Sequence, residues 1–551
     1  MIWKPEPQFL ESLDNSIPGI LSSQKDNGQF GTDPWISTDQ NVLLALAAAW
    51  SLEESRYFGD EAVLSTIIQG GHALADAQDD DGMFTFRKKD RSTWGQIYMP
   101  WVYSRWSRAY WLTREAFGED DRKRWDDALT LGFTGISETC LDRVHNIPAH
   151  DCMGIYFAGL ALEREDWLEQ AVTFSHRVAD AQSEHGWWPE HDGPVVLYNF
   201  VYVEALGTLY TMCRDKRLLG ALDRAARFHA AFSYPDGSMV ETVDGRNWYH
   251  ADVRPGNPGF SHTPQGRGFL AQQHERMIAS GQPFTADYAA TMLLHAVEGE
   301  LEPTAGSSDV NTYQMGDLAT VRRRRPWFSC ANAFRQQPHA NRWGQDWQNF
   351  VSVFHDRLGV VVGGGNTKLQ PLWSNFTIGD TALMKHRPGE EDPLFLVKKL
   401  QHVPDEVSIE QADTTLTVRL KYGLLDGAIS LTEMADDTLG ISYSCDTIPD
   451  QPVEGHLTMI PRIGALLRLS TGDAIPLGEQ PFAWSVPGQA GFVEHNGWRL
   501  LLPLGTRIEW PALPHDPYKK GGEPDLASGR IVVVMPFSRE RMAYEMVLQV
   551  V

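Results

Sequence analysis

The sequence contains few cysteines, and they show no pattern that would hold a metal or build a disulfide framework. The five, Cys140, Cys152, Cys213, Cys330 and Cys445, are scattered through 551 residues, odd in number and without zinc-site spacing. This usage fits a reducing compartment. The N-terminal segment also lacks a basic stretch followed by an apolar one, as a signal peptide would have, so we expect a cytoplasmic protein.

Positive charge is scarce, and long apolar runs are missing. The chain has 48 Lys and Arg against 72 Asp and Glu, which gives a formal net charge of −24. Binding to nucleic acid requires a basic face, so this class of partner is excluded. The longest uninterrupted apolar run, Val42–Trp50, is much shorter than a membrane span. We therefore expect a soluble protein without a membrane partner.

Aromatic residues, in contrast, are abundant, with 19 Trp, 16 Tyr and 24 Phe. Trp and Tyr present a flat apolar face and a polar handle, which suits stacking on sugar rings, although large cores would use them equally. The length admits two large domains at roughly 100–200 residues each.

Four short segments of the first half share a turn glycine and an aromatic or apolar residue after it. They are Gln24–Phe30, Gln78–Phe84, Gln182–Trp188 and Ser233–Met239. Their glycines, at 28, 82, 186 and 237, are separated by 54, 104 and 51 residues, which indicates a period near 52 with one degenerate member. We expect each Gly turn to end a helix at a left-handed position. A period near 50 that holds two helices is typical of stacked helix hairpins.

Apolar positions at helical spacing place the helices of these hairpins. The predicted helical stretches are Val42–Trp50, Ala73–Ala77, Trp101–Phe117, Trp125–Thr139, Trp167–Ala181, Tyr198–Met212 and Leu218–Phe232. The repeat resembles that of carbohydrate enzymes with an (α/α) toroid, so residues 1–300 are predicted to form a catalytic toroid. An open helical array for protein binding is the alternative.

The pattern changes near residue 301, where residues 301–309 have linker composition. Beyond them apolar residues alternate with period two, as in Leu416–Tyr422 and Phe350–Phe354, and Ile531–Met535 has the composition of a buried strand. Short strands separated by Gly, Pro and Asp turns predict an antiparallel β-sandwich over residues 310–551. The fold class is therefore multidomain, α then β.

The degenerate repeat is the first candidate for a functional site. In place of the Gly turn stands the polar segment Arg143–Asp151, followed by a predicted short helix, Cys152–Leu162. Local patterns fail most often at functional sites. We expect His145, Asn146 and His150 in a loop at the mouth of the toroid, where they could hold a carboxylate and accept a proton. The alternative is a loop closed by Asn and His hydrogen bonds.

The second candidate follows the turn at Gly186. Tyr198 and Tyr202 are four residues apart at a predicted helix start, so they share one face. A tyrosine at a helix N-terminus beside basic groups could have its phenolate stabilised. The alternative is that the pair only packs the interior.

Other polar and aromatic residues in the loops are candidates for substrate binding, and for each a structural role is the alternative. Arg254 could pair with a substrate carboxylate. The set is Trp94, Gln96, Trp188, Glu190, Tyr249, His250, Arg254 and His339.

These segments together resemble the heparinase II/III-like polysaccharide lyases, which join an (α/α) toroid to a β-sandwich. In that family an Asn and/or a His at one helix start precedes a Tyr that opens a later helix. Here the separations from Asn146 to Tyr198 and from His150 to Tyr202 are both 52 residues. Ala149 and Asn199 stand where the family has Asn and His.

The resemblance implies β-elimination on a glycan that contains uronic acid. Asn146, with His145 or an Arg, would neutralise the uronate carboxylate. Tyr198 would be the acid, and either Tyr198 or His150 the base.

Two other functions remain open from the residues. A glycoside hydrolase on the same scaffold would need two carboxylates roughly 5–10 Å apart. Candidates for that pair are Asp33, Asp39, Asp81, Glu190, Asp192 and Glu204. A non-catalytic glycan-binding protein would need only aromatic platforms. No cofactor or metal is expected, because no His-x-x-x-His pair occurs on one helix and elimination requires none.

Overall fold

The computed structural model describes residues 1–5, 7–32, 37–87, 92–190, 193–304, 308–384, 389–390 and 393–551. The chain forms two compact units. The helical unit comprises Met1–Trp188, Leu197–Ala230 and Pro255–Pro303, and the sheet unit comprises Pro189–Val196, Ala231–Arg254 and Thr304–Val551. The sequence predicted two domains, each continuous along the chain, on either side of residues 301–309. The structure differs because two earlier segments, Pro189–Val196 and Ala231–Arg254, belong to the sheet unit.

The helical unit is built from helices that follow one another as hairpins. They are α1 (Pro7–Ser23), α2 (Ser37–Gln40), α3 (Val42–Ser51), α4 (Glu61–Ala77), α5 (Pro100–Thr113), α6 (Glu119–Thr139), α7 (Asn146–Ala161), α8 (Glu165–Asp180), α9 (Val196–Cys213), α10 (Lys216–Ala231), α11 (Pro264–Ser280) and α12 (Ala286–His295). Short strand pairs connect some of them, namely β1 (Ile2–Trp3) with β6 (Gly299–Glu300) and β2 (Phe84–Arg87) with β3 (Thr93–Ile97). None of the helices in the described ranges combines the length and apolar character that a membrane span requires.

The inner helices close into a ring. Helix α5 packs against α3 and α7, and α12, near the end of the unit, packs back against α3 and α1. Helices α5 and α7 are buried along most of their length, whereas α6 and α8 bury one face, as helices of an outer layer do. This arrangement is the predicted (α/α) toroid.

The repeated turns owe their glycines to close packing and to a left-handed backbone, as predicted, but the helix ends before the turn and not at the glycine. The N–H of Gly82 donates to the carbonyl of Asp79 at 2.9 Å, and that of Gly186 donates to Ser183 at 3.0 Å. The glycine is therefore the last residue of a β-turn, with φ of 82° at Gly82 and 93° at Gly186. A Cβ on Gly186 would lie 2.1 Å from the carbonyl oxygen of Arg224 on α10, so a side chain is excluded there.

In three of the four turns a glutamine binds the outer helix of the next hairpin. The Nε2 amides of Gln24, Gln78 and Gln182 each donate 2.9 Å hydrogen bonds to backbone carbonyls, on α4 (Thr66), α6 (Ala128) and α10 (Ala221) respectively. In the degenerate repeat the direction is reversed. There Arg177 of α8 donates to the turn carbonyls of Leu141 and Asp142.

The sheet unit is a sandwich of two antiparallel sheets with a small hairpin of β4 (Pro189–Glu190) and β5 (Gly193–Pro194). Its other strands are β7 (Val310–Met315), β8 (Ala319–Arg324), β9 (Trp327–Asn332), β10 (Val351–His355), β11 (Gly359–Val362), β12 (Phe376–Ile378), β13 (Glu406–Gln411), β14 (Thr415–Tyr422), β15 (Leu425–Ala435), β16 (Thr438–Cys445), β17 (Val453–Met459), β18 (Leu466–Leu469), β19 (Ala474–Pro476), β20 (Phe482–Ser485), β21 (Ala490–His495), β22 (Trp498–Pro503), β23 (Arg507–Ala512), β24 (Arg530–Phe537) and β25 (Ala543–Val550).

One sheet runs in the order β20-β23-β24-β17-β11-β10-β9-β8-β7, with β12 also paired to β17, and the other in the order β13-β14-β15-β16-β25-β22-β21-β18-β19. Alternation in β14 buries Leu416, Val418, Leu420 and Tyr422, as predicted. The sheets pack through aromatic residues, and the ring centroids of Phe376 on β12 and Tyr443 on β16 are 5.5 Å apart.

Candidate functional site

The degenerate repeat forms a helix start, not the predicted loop. Helix α7 begins at Asn146 with His145 as its N-cap residue, six residues before the predicted start at Cys152. Asn146 and His150 are therefore one turn apart on the same face of the helix. Both are buried, which is unusual for polar residues in a first turn and places their side chains inside the helical unit.

Helix α5 supplies the partners of His150. The Nε2 of His150 lies 2.9 Å from Nη1 of Arg105 and 2.8 Å from Oγ of Ser104. The imidazole ring stacks on Trp101, with the ring centroids 5.4 Å apart. A guanidinium can only donate, so Nε2 is the acceptor and the proton of the neutral imidazole is assigned to Nδ1. That buried Nδ1 has no hydrogen-bond partner in the described part of the chain.

The charges around His150 keep it neutral. Burial, together with the positive charges of Arg105 and Arg108, lowers the pKa of His150 well below its ordinary value. Burial opposes the charge of Arg105 as well, but Asp287 and Glu204 outweigh it and raise the pKa of that guanidinium. The site is thus a fixed cation beside a neutral imidazole.

Two carboxylates from distant parts of the chain hold Arg105 in place. Asp287 on α12 accepts from Nε at 3.2 Å and from Nη2 at 2.8 Å, a bidentate pair. Oε1 of Glu204 on α9 lies 3.6 Å from the same Nη2 and 3.7 Å from Nη2 of Arg108. Burial and the repulsion of Arg105 lower the pKa of Arg108 to about 10. The network therefore joins α5, α7, α9 and α12 around one guanidinium.

Asp151, next to His150, adds no charge to the site. Its carboxyl oxygens are buried without a hydrogen-bond partner among the described residues, and burial raises the pKa of this carboxyl well above its ordinary value. A carboxyl in such a setting is neutral at physiological pH.

The two tyrosines of α9 have different surroundings. The helix begins at Val196, so Tyr198 lies in its first turn, where it is half-buried. Tyr202 is 1% exposed, and its ring stacks on that of Trp188 at 4.8 Å with an angle of 9° between the planes. Tyr202 therefore packs with Trp188 in the interior of the helical unit. Interior packing was the alternative stated for the pair of Tyr198 and Tyr202.

Two other candidates lie on the β2–β3 hairpin of the helical unit. Trp94 is 62% exposed and its ring packs against Phe86 at 5.6 Å. Gln96 donates from Nε2 to Oδ2 of Asp79 at 3.0 Å. Trp94 therefore stays a candidate for stacking on a sugar ring.

The remaining candidates belong to the sheet unit. Glu190 is buried in the β4–β5 hairpin, the N–H of Tyr249 donates to Gly364 at 3.1 Å, and His250 is exposed. Arg254 pairs with Asp252 at 2.9 Å, and the backbone carbonyl of His339 accepts from Lys368 at 2.7 Å. Asp33 and Asp192, named as hydrolase candidates, lie outside the described residues.

Sequence reasoning missed most of the network around His150. Arg105 and Arg108 could have been found, since charged residues inside the otherwise aromatic α5 are a signal of a buried ionic role. Asp287 carried no such signal, because 182 residues separate it from Arg105. Among the described residues, no three His, Cys, Asp or Glu side chains meet as potential metal ligands.

No family model matches the chain, and no curated protein matches it significantly. Solved structures do share its fold. A chondroitinase AC lyase described in complexes with oligosaccharides is 11% identical, with a TM-score of 0.54 over 98% of this chain and 82% of that one. The Streptomyces coelicolor A3 chondroitin AC lyase in complex with chondroitin sulphate is 14% identical, with a TM-score of 0.53 over 99% and 80%.

A heparinase III is 11% identical, with a TM-score of 0.52 over 100% of this chain and 84% of that one. At these identities the likeness shows the fold, a helical toroid followed along the chain by an antiparallel β-sandwich. The predicted fold class is confirmed, and the predicted resemblance to heparinase II/III-like lyases is confirmed at the level of the fold.

Proposed function

We propose that this protein is a polysaccharide lyase that cleaves glycans containing uronic acid by β-elimination. The observation that carries the proposal is the polar first turn of α7, where Asn146 and a neutral His150 meet Arg105 inside the toroid. The fold supports it, because lyases of chondroitin have the same architecture.

The first requirement of the reaction is a neutralised carboxylate, so that the C5 proton of the uronate becomes acidic. Asn146 stands at the first position of α7, where backbone N–H groups and the helix dipole favour an anion. Its amide would donate to the carboxylate, and the positive charge of Arg105 one helix away would stabilise the dianionic intermediate.

The second requirement is proton transfer at two atoms. A base takes the proton from C5, the released electron pair forms the C4–C5 double bond, and the C4–O4 bond breaks. The leaving oxygen then receives a proton. Tyr198, half-buried in the first turn of α9, is our candidate for the acid and the base.

The surroundings of His150 change the role proposed for it. Its Nε2 is occupied by Arg105 and Ser104, and the whole side chain is buried. A base must reach its proton within hydrogen-bond distance. We therefore assign His150 to positioning Arg105 and the first turn of α7, and leave His145, half-buried at the N-cap, as the histidine candidate for the base.

A glycoside hydrolase is the second candidate, and one observation favours it. Glu204 and Asp287 both approach Nη2 of Arg105, at 3.6 and 2.8 Å, so two carboxylates do lie close together. Both carboxylates are engaged by Arg105, which suits charge compensation more than proton donation. The lyase remains the better-supported function.

The reaction product separates the two functions. The protein is incubated with a panel of uronate polymers, and absorbance of the unsaturated uronate in the ultraviolet is followed beside the release of reducing ends. We expect both signals to rise together. Reducing ends without the absorbance would replace the lyase with the hydrolase, and neither signal on any polymer would leave a binding protein.

Substitution of Tyr198 tests the proposed acid and base. Tyr198→Phe should lower the rate at least about 100-fold, because proton transfer contributes that much or more. Tyr210→Phe, on the same helix and also half-buried, is the matched control and should retain the activity. Full activity of Tyr198→Phe would remove this residue from the mechanism.

A further inference from the structure

A cavity of about 460 Å³ lies in the sheet unit, and its lining includes none of the residues proposed above for catalysis. It is bounded by residues 337–338 and by the segment 396–405. Its volume falls within the range of small-molecule sites, roughly 300–1,000 Å³. Apolar side chains form part of the wall, including Leu396, Val397 and Pro338, and His402 supplies a buried polar group.

His402 presents an unpaired nitrogen at this cavity. The side chain is 4% exposed, and its Nε2 lies 2.8 Å from Oδ2 of Asp346. Among the described residues, Asp346 is the sole hydrogen-bond partner of His402, so Nδ1 has none. Nδ1 is not fully enclosed by the protein, so a water or a ligand can reach it.

A buried ion pair between Asp346 and Lys368 orients the ring of His402. Oδ1 of Asp346 lies 2.7 Å from Nζ of Lys368, and neither side chain is exposed. Burial favours the neutral acid, but His402 and Lys368 together hold the pKa of Asp346 below its ordinary value. The carboxylate therefore accepts Nε2–H, which leaves Nδ1 as the nitrogen available to a ligand.

The rest of the lining suits a polyhydroxylated ligand. Asp405, Gln337 and Gln401 offer further oxygens and amides, while Leu396 and Val397 offer a surface for ring C–H groups. Lys398 is exposed and forms no ion pair with any described residue, so a cation is available for an acidic group. A hydroxyl group can donate or accept, so it can pair with an imidazole nitrogen in either protonation state.

We propose that this cavity binds a pyranose residue. A ring hydroxyl forms a hydrogen bond with Nδ1 of His402, the apolar face of the sugar packs on Leu396 and Val397, and Lys398 pairs with the carboxylate when the sugar is a uronate. The site binds and does not cleave, so it stands whether or not the chain is a lyase.

Binding of methyl glucoside and of glucuronate to the full chain is measured by ligand-observed NMR and calorimetry. We expect both sugars to bind and glucuronate to bind more tightly. His402→Gln should weaken both sugars about tenfold, as loss of one hydrogen bond does. Gln337→Trp, at an exposed position of the lining, should block the cavity without disturbing the core.

Lys398→Ala should remove only the preference for glucuronate, and Lys399→Ala, exposed but outside the lining, is its matched control. No binding by the wild-type protein at millimolar sugar would overturn the proposal. So would sugar binding that is unchanged in both His402→Gln and Gln337→Trp. All four variants should keep the catalytic rate of the wild type, which distinguishes a failure here from a failure of the lyase proposal.

Discussion

Both units bury charged groups, but they enclose them differently. In the helical unit Arg105 is shared by two carboxylates that stay partly open, Asp287 at 29% and Glu204 at 17% exposure. In the sheet unit Asp346 and Lys368 form a pair with no exposed side-chain surface at all. Removing one partner of an ion pair costs little unfolding free energy when the groups stay partly solvated. It costs much more when the remaining charge is fully enclosed. The open network is thus suited to meet a substrate, and the closed pair to hold a side chain still.

Removing one carboxylate in each unit gives the largest expected difference. Asp346→Asn leaves the Lys368 ammonium buried against a neutral amide and should cost about 3–5 kcal/mol of unfolding free energy. Asp287→Asn should cost less, roughly 1–2 kcal/mol, since Asp287 is partly exposed and Arg105 keeps Glu204 and His150. Denaturant titration measures both.

A double variant keeps this prediction testable if Asp346→Asn does not fold. Asp346→Asn with Lys368→Met removes both charges and should recover most of the lost stability. Equal costs for the two single variants, or a larger cost for Asp287→Asn, would break the comparison.

The second prediction concerns Glu241, in the segment of the sheet unit that interrupts the helices. Burial raises the pKa of Glu241 to about 7, although Tyr234, the N–H of Gly364 and the charge of Arg530 all oppose the shift. Between the ordinary pKa of 4.5 and about 7 the folded chain holds a proton that the unfolded chain has released. Stability therefore falls across this window as the pH rises, by about 3 kcal/mol in all.

Glu241→Gln should remove this pH dependence and stabilise the sheet unit at pH 8. Unfolding free energies of the wild type and the variant, measured from pH 4 to 8, provide the check. Parallel pH profiles for the two proteins would show that Glu241 does not titrate as its burial implies.

Buried histidines give the helical unit the opposite pH dependence. Burial lowers the pKa of His274 to about 3, and burial with Arg108 and His262 does the same for His295. Their contribution to stability is present above the unfolded pKa of 6.5 and is lost as the pH falls below it. Each should cost about 1 kcal/mol per pH unit.

Hydrogen exchange, corrected for intrinsic rates, separates the two units. Between pH 7 and pH 5.5 we expect faster exchange in α11 and α12 and slower exchange around Glu241. A change of the same sign in both places would contradict the contrast.

The smallest effect concerns the turn glutamines. Gln182→Ala removes the hydrogen bonds to Ala221 and Gly186 and should cost about 1 kcal/mol. Gln282→Ala, at an exposed position of the same unit, is the control and should change the free energy of unfolding by less than about 0.5 kcal/mol. Equal effects in a thermal melt would deny the turn any stabilising role.

Regular patterns predicted most of the fold, and interruptions of pattern predicted part of the site. Helices such as α6 and strands such as β14 followed from the spacing of apolar residues, because burial of one face imposes it. The first turn of α7 was mistaken for a loop, since Asn146, His150 and Asp151 lack the apolar spacing of a helix. They are polar because the interior there is a charged network.

Long-range contacts could not be predicted. Nothing local to Asp287 signals that it pairs with Arg105, because the pairing arises only when α12 packs back on the inner ring. The membership of Ala231–Arg254 in the sheet unit was missed for the same reason. Its Gly237 turn matches the repeat of the helical unit, yet Glu241 and Trp248 approach glycines of the loop at 363–365.

The turn glutamines have a consequence for how such a toroid can grow or shrink. Each amide donates to a carbonyl of the hairpin that follows, so the hydrogen bonds of one turn are complete only when the next hairpin has formed. Insertions within an outer helix would shift the carbonyl out of reach, whereas gain or loss of a whole hairpin would preserve the pairing. The ring can therefore change in steps of one whole repeat, because each of these turns contacts the hairpin that follows it.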